Sequence, residues 1–192
     1  MDLITKTVTI TGINAILMHS TASMDPSNPI GKAMKAITKK HASKKTDEDI
    51  VELQRLEFEA GMYFDDKLGP YIPSEMMFAS IRDGGKAQRL GSEVTRSILL
   101  VEEKIPLQYV GPRTLKGLWK GGFYDTRSVK VGASRIMRTR PCFPSWSAEF
   151  SVQFDPDHLD PDQLDFCILN AGARVGLGDY RPRFGRFSAV IK

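Results

Sequence analysis

The segment 146–154 constrains the fold more than any other. Trp146, Ala148, Phe150, Val152 and Phe154 alternate with Ser147, Glu149, Ser151 and Gln153. A period of two puts every apolar residue on one face of an extended chain and every polar residue on the other. This is a strand with one buried face, so something must cover that face. Two helical segments suit the task. Asp160-Pro161-Asp162-Gln163 supplies an N-cap, a proline at the first helical position and a capping-box glutamine. Behind it, Leu164, Cys167, Ile168, Ala171 and Val175 recur at helical spacing. The other helix opens at Pro73-Ser74-Glu75, with Ser74 as its N-cap and Met76, Met77 and Ile81 as its apolar side, and Gly84-Gly85 ends or breaks it.

Other strands complete the sheet. Lys6 to Gly12 alternates and is rich in β-branched residues, and Gly185 to Ile191 forms a final strand. Val129 to Arg140 alternates well enough to be one more strand, and Ser97 to Val101 and Ile105 to Val110 are candidates for another. A short hairpin is expected from Tyr63-Phe64 to Tyr71-Ile72. Between the first strand and its helix the period changes. Ile30, Met34 and Ile37 mark one helix, and Leu53, Leu56 and Ala60 mark a second that opens on Asp47, Glu48 and Asp49. The core order is strand, helix, strand, strand, helix, strand. The expected fold class is therefore α+β: a ferredoxin-like or RRM-like antiparallel sheet with two covering helices and a helical-hairpin insert after the first strand. Residues 1–192 read as a single domain, with the insert at about 20–62.

Composition narrows the function. Of 192 residues, 41% are hydrophobic and 26% charged, enough for a real core and unlike a disordered tail. Two cysteines, Cys142 and Cys167, exclude a disulfide-stapled scaffold and read as buried thiols. His19, His41 and His158 are scattered without a Cys-x-x-Cys pair, so no metal and no cofactor is expected. Met1 to Lys6 lacks a secretory leader and no apolar run is long enough for a bilayer, which suits a cytoplasmic protein without a membrane partner.

Charge is segregated along the chain. Lys32 to Lys45 holds six lysines and no acid, whereas Asp47 to Asp66 holds eight acids and one basic residue, Arg55. Arg113 to Arg140 holds eight basic residues and one acid, and the chain from Arg174 onward holds five and one. Such blocks either line a groove for a polyanion or form ordinary solvated faces.

Within them, three sets of residues are candidates for contact with nucleic acid. The sharpest is the segment Gly176 to Phe187. Gly176, Gly178 and Gly185 allow unusual backbone angles, Arg181, Arg183 and Arg186 offer planar forks for phosphate or stacking, and Tyr180 and Phe184 either stack on a base or anchor the loop. The segment is not a Walker loop, since no Gly-Lys-Ser/Thr follows. Nor is it a dinucleotide fingerprint, since it leads from a helix into a strand. The second set is Arg135, Arg138 and Arg140, the last two sharing one face of a strand. The third is the lysine cluster of Lys32, Lys35, Lys39 and Lys40. His41 is a weaker, catalytic candidate, as a general acid or base assisted by Lys40 or Tyr63.

The segment Gly176-Leu177-Gly178 and the basic stretch ending in Phe184-Gly185 before a terminal strand resemble the glycine-rich loop of the RAMP superfamily, the RRM-like proteins of CRISPR effector complexes. Gly69-Pro70-Tyr71-Ile72-Pro73-Ser74 is similar to the segment that opens the first core helix of the guide-RNA-lining subunits. Gly12-Ile13-Asn14-Ala15-Ile16-Leu17-Met18-His19 is similar to the end of the family's opening strand. Glu75-Met76-Met77 departs from the small and basic residues usual after that serine. The ending GDYRPRFGRF resembles a group of proteins of tailed bacteriophages and prophages. The resemblance implies an RRM-like fold, Ser74 among the nucleic-acid contacts, and a single-stranded RNA or DNA partner bound by repeated protomers or within a larger nucleoprotein complex. It also keeps open a metal-independent endoribonuclease using His41. The charge blocks keep open an assembly protein that pairs copies head to tail.

Overall fold

The computed structural model describes residues 3–192; Met1 and Asp2, the start of the segment expected to lack a leader, lie outside the described residues. In chain order the elements are β1 (Ile4–Gly12), β2 (Ile16–Leu17), α1 (Pro29–Thr38), α2 (Asp47–Gly61), β3 (Phe64–Asp65), β4 (Gly69–Pro73), α3 (Ser74–Gly85), α4 (Gly91–Ser97), β5 (Ile98–Leu100), β6 (Lys104–Pro106), α5 (Leu115–Lys120), β7 (Tyr124–Val131), β8 (Ser134–Phe143), β9 (Ser147–Phe154), α6 (Pro161–Asn170) and β10 (Phe187–Ile191). The chain divides into two compact units. The first comprises the chain up to Ile16, Phe64–Val110 and Pro144–Lys192, and the second Leu17–Tyr63 and Gly111–Phe143. No helix among the described residues is long and apolar enough to cross a membrane.

The first unit is built on an antiparallel sheet of order β10-β1-β9-β5. With α3 between β1 and β5, and α6 between β9 and β10, this is the strand order of a ferredoxin-like fold. The chain is thus α+β, as its periodicity implies. Register follows the alternation: Val8 lies opposite Phe150 and Ile10 opposite Ala148. These residues are fully or almost fully buried, with Val152 and Phe154, under Met77 and Ile81 of α3 and Leu164, Cys167 and Ile168 of α6. The two helices meet backbone to backbone at Gly84, where a Cβ would stand 2.3 Å from the Cys167 carbonyl oxygen. Asn170 Nδ2 donates to the Gly84 carbonyl at 2.6 Å. Gly84 is therefore a packing glycine inside α3, and the helix ends one residue later. Burial pushes the Cys167 thiol up to about 11. A second, small sheet of order β3-β4-β6 contains the expected hairpin. Pro73, not Ser74, holds the N-cap position of α3 and makes no side-chain cap; Ser74 is the first helical residue.

The second unit holds the helical insert. Asn28 caps α1 by accepting from the Ile30 and Gly31 amides, and Thr46 and Asp49 close a capping box on α2. The segment 129–140, expected as one strand of the main sheet, is instead most of a β-hairpin. β7 and β8 pair from Tyr124 opposite Pro141 to Val131 opposite Ser134, turning through Gly132 at φ +59°. A two-residue turn does not interrupt the alternation of its flanking strands, so hairpin and single strand have the same pattern. Of the two stretches that the sequence offers for another strand, 97–101 supplies β5 of the main sheet, whereas 105–110 begins in β6 of the small sheet. Phe58, Trp119 and Tyr124 form an aromatic cluster in this unit, the Trp119 and Tyr124 rings stacked at 4.4 Å.

Candidate nucleic-acid interface

The chain reaches the glycine–arginine loop through a change of helix type. After α6 the backbone widens into a π turn over Ala171–Val175, and Gly176 leaves it at φ +76°. π turns recur where a helix must be re-aimed for a particular contact. Here the contact is with the core. Leu177 is fully buried, and the buried Ser80 hydroxyl of α3 donates to the Gly176 carbonyl at 2.9 Å. The Leu177 amide donates to the Gly185 carbonyl, and the Gly185 amide to the Ala15 carbonyl. Gly185, at φ +72°, admits no side chain, because a Cβ would lie 1.8 Å from the Leu177 carbonyl oxygen. Gly178 is also left-handed, at φ +75°.

Between these anchors Tyr180 to Arg183 makes a tight turn. Tyr180 has φ +60°, the Arg181–Pro182 bond is cis, and the Arg183 and Phe184 amides both donate to the Tyr180 carbonyl. An extended course, in which residues two apart such as Arg181 and Arg183 would point the same way, is therefore not what this segment adopts. Tyr180 and Phe184 are half-buried and meet edge to face at 6.3 Å, which anchors the turn. Asn14, just past β1, holds both ends of it. Its Nδ2 donates to the Arg183 carbonyl, and its Oδ1 accepts from the Arg186 amide, both at 2.9 Å. Nothing in the sequence singles out Asn14, whose partners lie about 170 positions away.

This scaffold leaves three guanidinium groups outside. Arg181, Arg183 and Arg186 are exposed. Arg186 Nε donates to the Pro182 carbonyl and braces the turn. Among the described residues no carboxylate lies within ion-pair distance of Arg181 or Arg183. Neither Arg181 nor Arg183 is held in a buried salt bridge among the described residues.

The other candidates fall elsewhere. Arg135, Arg138 and Arg140 belong to β8 in the second unit, not to the main sheet. Arg138 Nη1 donates at 2.5 Å to the buried Glu57 carboxylate of α2, whose second oxygen accepts the Thr139 amide at 2.8 Å. Arg140 stands across the hairpin from Asp125. A hydrogen bond from Arg127, followed against the opposing effect of burial by the charges of Arg127 and Arg140, holds the Asp125 carboxyl below its usual range. The face of the main sheet turned from α3 and α6 carries Thr5, Thr7, Thr9, Thr11, Ser147, Glu149, Ser151, Gln153 and Ser188 with the apolar Leu99 and Val190, and no described strand residue there is basic or aromatic. The sheet face thus lacks the arginine ladder expected on it. Trp146 is 3% exposed and donates through Nε1 to the Asn14 carbonyl, as a core residue does.

Ser74 is half-buried beside Glu75, in a groove of about 200 Å³, six residues before Ser80 and so about 9 Å from it along the helix. Lys39 is exposed at the C-terminal end of α1, where a cation suits the helix dipole, and Lys40 is paired with Asp49 at 2.7 Å. His41 Nδ1 contacts Ser43 Oγ at 2.8 Å in a local turn, and Tyr63 donates its hydroxyl to the His19 carbonyl.

The class defined by these features is an α+β protein with a ferredoxin-like unit whose last helix and last strand are joined by a clamped basic loop. No family model matches the chain, and no curated protein matches it in sequence. Among solved structures, its fold is similar to that of a chain in the cryo-EM structure of the Type III-B Cmr-beta bound to cognate target RNA, at 12% identity and a TM-score of 0.50. The similarity covers 97% of this chain and 60% of that one, so this chain spans less than two thirds of its neighbour's length.

Proposed function

We propose that the chain binds single-stranded nucleic acid through the 176–186 loop and acts by binding, without a catalytic step. The observation that carries this reading is the pair Arg181 and Arg183: exposed, without an ion-pair partner among the described residues, and mounted on a backbone fixed by Ser80, Asn14 and Leu177. A preorganised loop presents its cations without the ordering cost that a mobile loop bears on binding. The fold likeness to a chain in an RNA-bound structure and the RAMP resemblance both favour a nucleic-acid ligand. The same resemblance extends the reading to a phage-encoded protein working in the host cytoplasm, as repeated protomers along a strand or within a larger complex.

The test is an anisotropy titration of labelled single-stranded RNA and DNA of one sequence at low and moderate salt. Binding that weakens as salt rises, with a slope of about 0.7 per phosphate neutralised, is the expected result. No salt-dependent binding to either strand at low salt overturns the reading. The ratio of the two affinities decides between RNA and DNA.

A further inference from the structure

A second cationic site lies at the far end of α3, in a stretch whose sequence pattern is uninformative. Arg82, Lys86, Arg89, Gly91, Ser92 and Thr95 line a cleft of about 390 Å³. This is room for a group of nucleotide size. Asp83 is the carboxylate among its cations: Arg82 Nη2 donates to it at 3.0 Å and Lys86 Nζ lies 2.8 Å from it. Burial works against ionisation of Asp83, but the hydrogen bonds from Lys86 and Arg82 hold its carboxyl below the usual value. One carboxylate against three cations leaves a surplus of two positive charges, of which the negative end of the α3 dipole offsets about half of one. Arg89 is exposed and has no ion-pair partner among the described residues.

The backbone at Arg89 makes the cluster more than a solvated helix end. Arg89 sits at φ +62°, directly after the 3-10 turn Lys86–Gln88 that continues α3, and the Leu90 amide closes back on the Gly85 carbonyl at 2.9 Å. Glycine is the low-cost residue in this left-handed closing position, because any side chain is strained there. The arginine held there against that preference lines the cleft together with Ser92 of α4. Left-handed non-glycine residues of this kind concentrate at ligand clamps.

From this arrangement we propose that the cleft is a phosphate site that takes a phosphomonoester dianion, carried either by a free mononucleotide or by the terminus of a nucleic-acid strand. A phosphomonoester carries close to two negative charges at pH 7, matching the surplus of the cleft, whereas an internal phosphodiester carries one. The site is distinct from the 176–186 loop and does not depend on it.

The test uses the full chain with Arg181→Ala and Arg183→Ala, so that loop binding is removed. Inorganic phosphate and a mononucleotide are titrated by thermal shift. A 5′-phosphorylated oligonucleotide and its 5′-hydroxyl counterpart are compared by anisotropy. The expected result is a saturable rise in Tm, with the phosphorylated strand bound about tenfold more tightly if a strand end is the source. Both effects disappear with Arg89→Gly, which itself leaves Tm equal or higher because glycine suits the backbone at this position. A phosphate-dependent rise without a difference between the strands identifies the free nucleotide as the source and keeps the site. If no probe binds in an Arg89-dependent way, the proposal is overturned. A lower Tm in Arg89→Gly would then make the residue a helix-end brace.

Discussion

The loop 176–186 and the hairpin β7–β8 are both arginine-rich, and they use arginine in opposite ways. In the hairpin Arg138 turns inward to Glu57, and Arg127 and Arg140 are set about Asp125. In the loop the backbone turns inward and Arg181 and Arg183 are left outside. The contrast shows that a basic block in sequence is not a basic surface. What decides is whether the fold brings a carboxylate to it. The acidic block 47–66 is largely consumed in this way: Asp49 pairs with Lys40, Glu52 and Glu59 with Arg55, Glu57 with Arg138, and Asp65 with Lys104.

The comparison is broken most sharply by Gly185→Ala. A methyl group here meets the Leu177 carbonyl from a left-handed residue. The loss of stability is expected at about 3–5 kcal/mol in urea unfolding, combining overpacking with backbone strain. A loss under about 1 kcal/mol would mean that the loop is not clamped, since surface substitutions fall in that range. Next, Glu57→Ala strands the Arg138 guanidinium and the Thr139 amide. With Arg138 partly exposed, the cost is expected at about 2–3 kcal/mol in the same measurement, with nucleic-acid affinity unchanged.

Arg181→Ala with Arg183→Ala is the mirror image. Binding of single strands should weaken by about 2–3 kcal/mol, with a shallower salt dependence and an unchanged Tm. A lowered Tm with intact affinity would make the loop structural and the two regions alike. The smallest effect concerns acid. The Asp125 carboxyl is depressed below 3.8, so its contribution to stability is full above that value and fades as pH falls through the lower, folded one. Asp125→Asn should flatten acid unfolding of the protein below about pH 4, by no more than about 1 kcal/mol, the range of a partly exposed pair.

The legibility of the fold follows the range of its interactions. β9, β1 and the helices α1, α2 and α6 are announced by neighbours within a few residues, so alternation, helical spacing and, for α6, its capping box reveal them. The hairpin is hidden because the turn at Gly132 keeps the alternation in phase across β7 and β8. The loop's glycines and arginines are visible in sequence, but its geometry is not. Asn14 acts on Arg183 from 169 positions away, and Glu57 reaches Arg138 across 81. No local pattern carries such pairings. α3 ends at Gly85, within the pair Gly84-Gly85 that the sequence offers as its stop, but the 3-10 turn that follows is hidden, because an arginine in a closing position suited to glycine gives no signal.

The sheet register has a consequence for the nascent chain. β1 pairs with β9 and β10, and Thr9 meets Glu149 across 140 positions. On the ribosome β1 emerges ahead of both its partners and waits, without a hydrogen-bonding neighbour on either side, until β9 has been synthesised. Its threonine-rich alternation keeps that waiting strand soluble on one face but leaves Val8 and Ile10 uncovered on the other. Pairings of such long range fold slowly and expose strand edges meanwhile. Productive folding of this protein is therefore expected to start after translation has passed β9, and chains truncated before residue 147 are expected to partition to chaperones or aggregates.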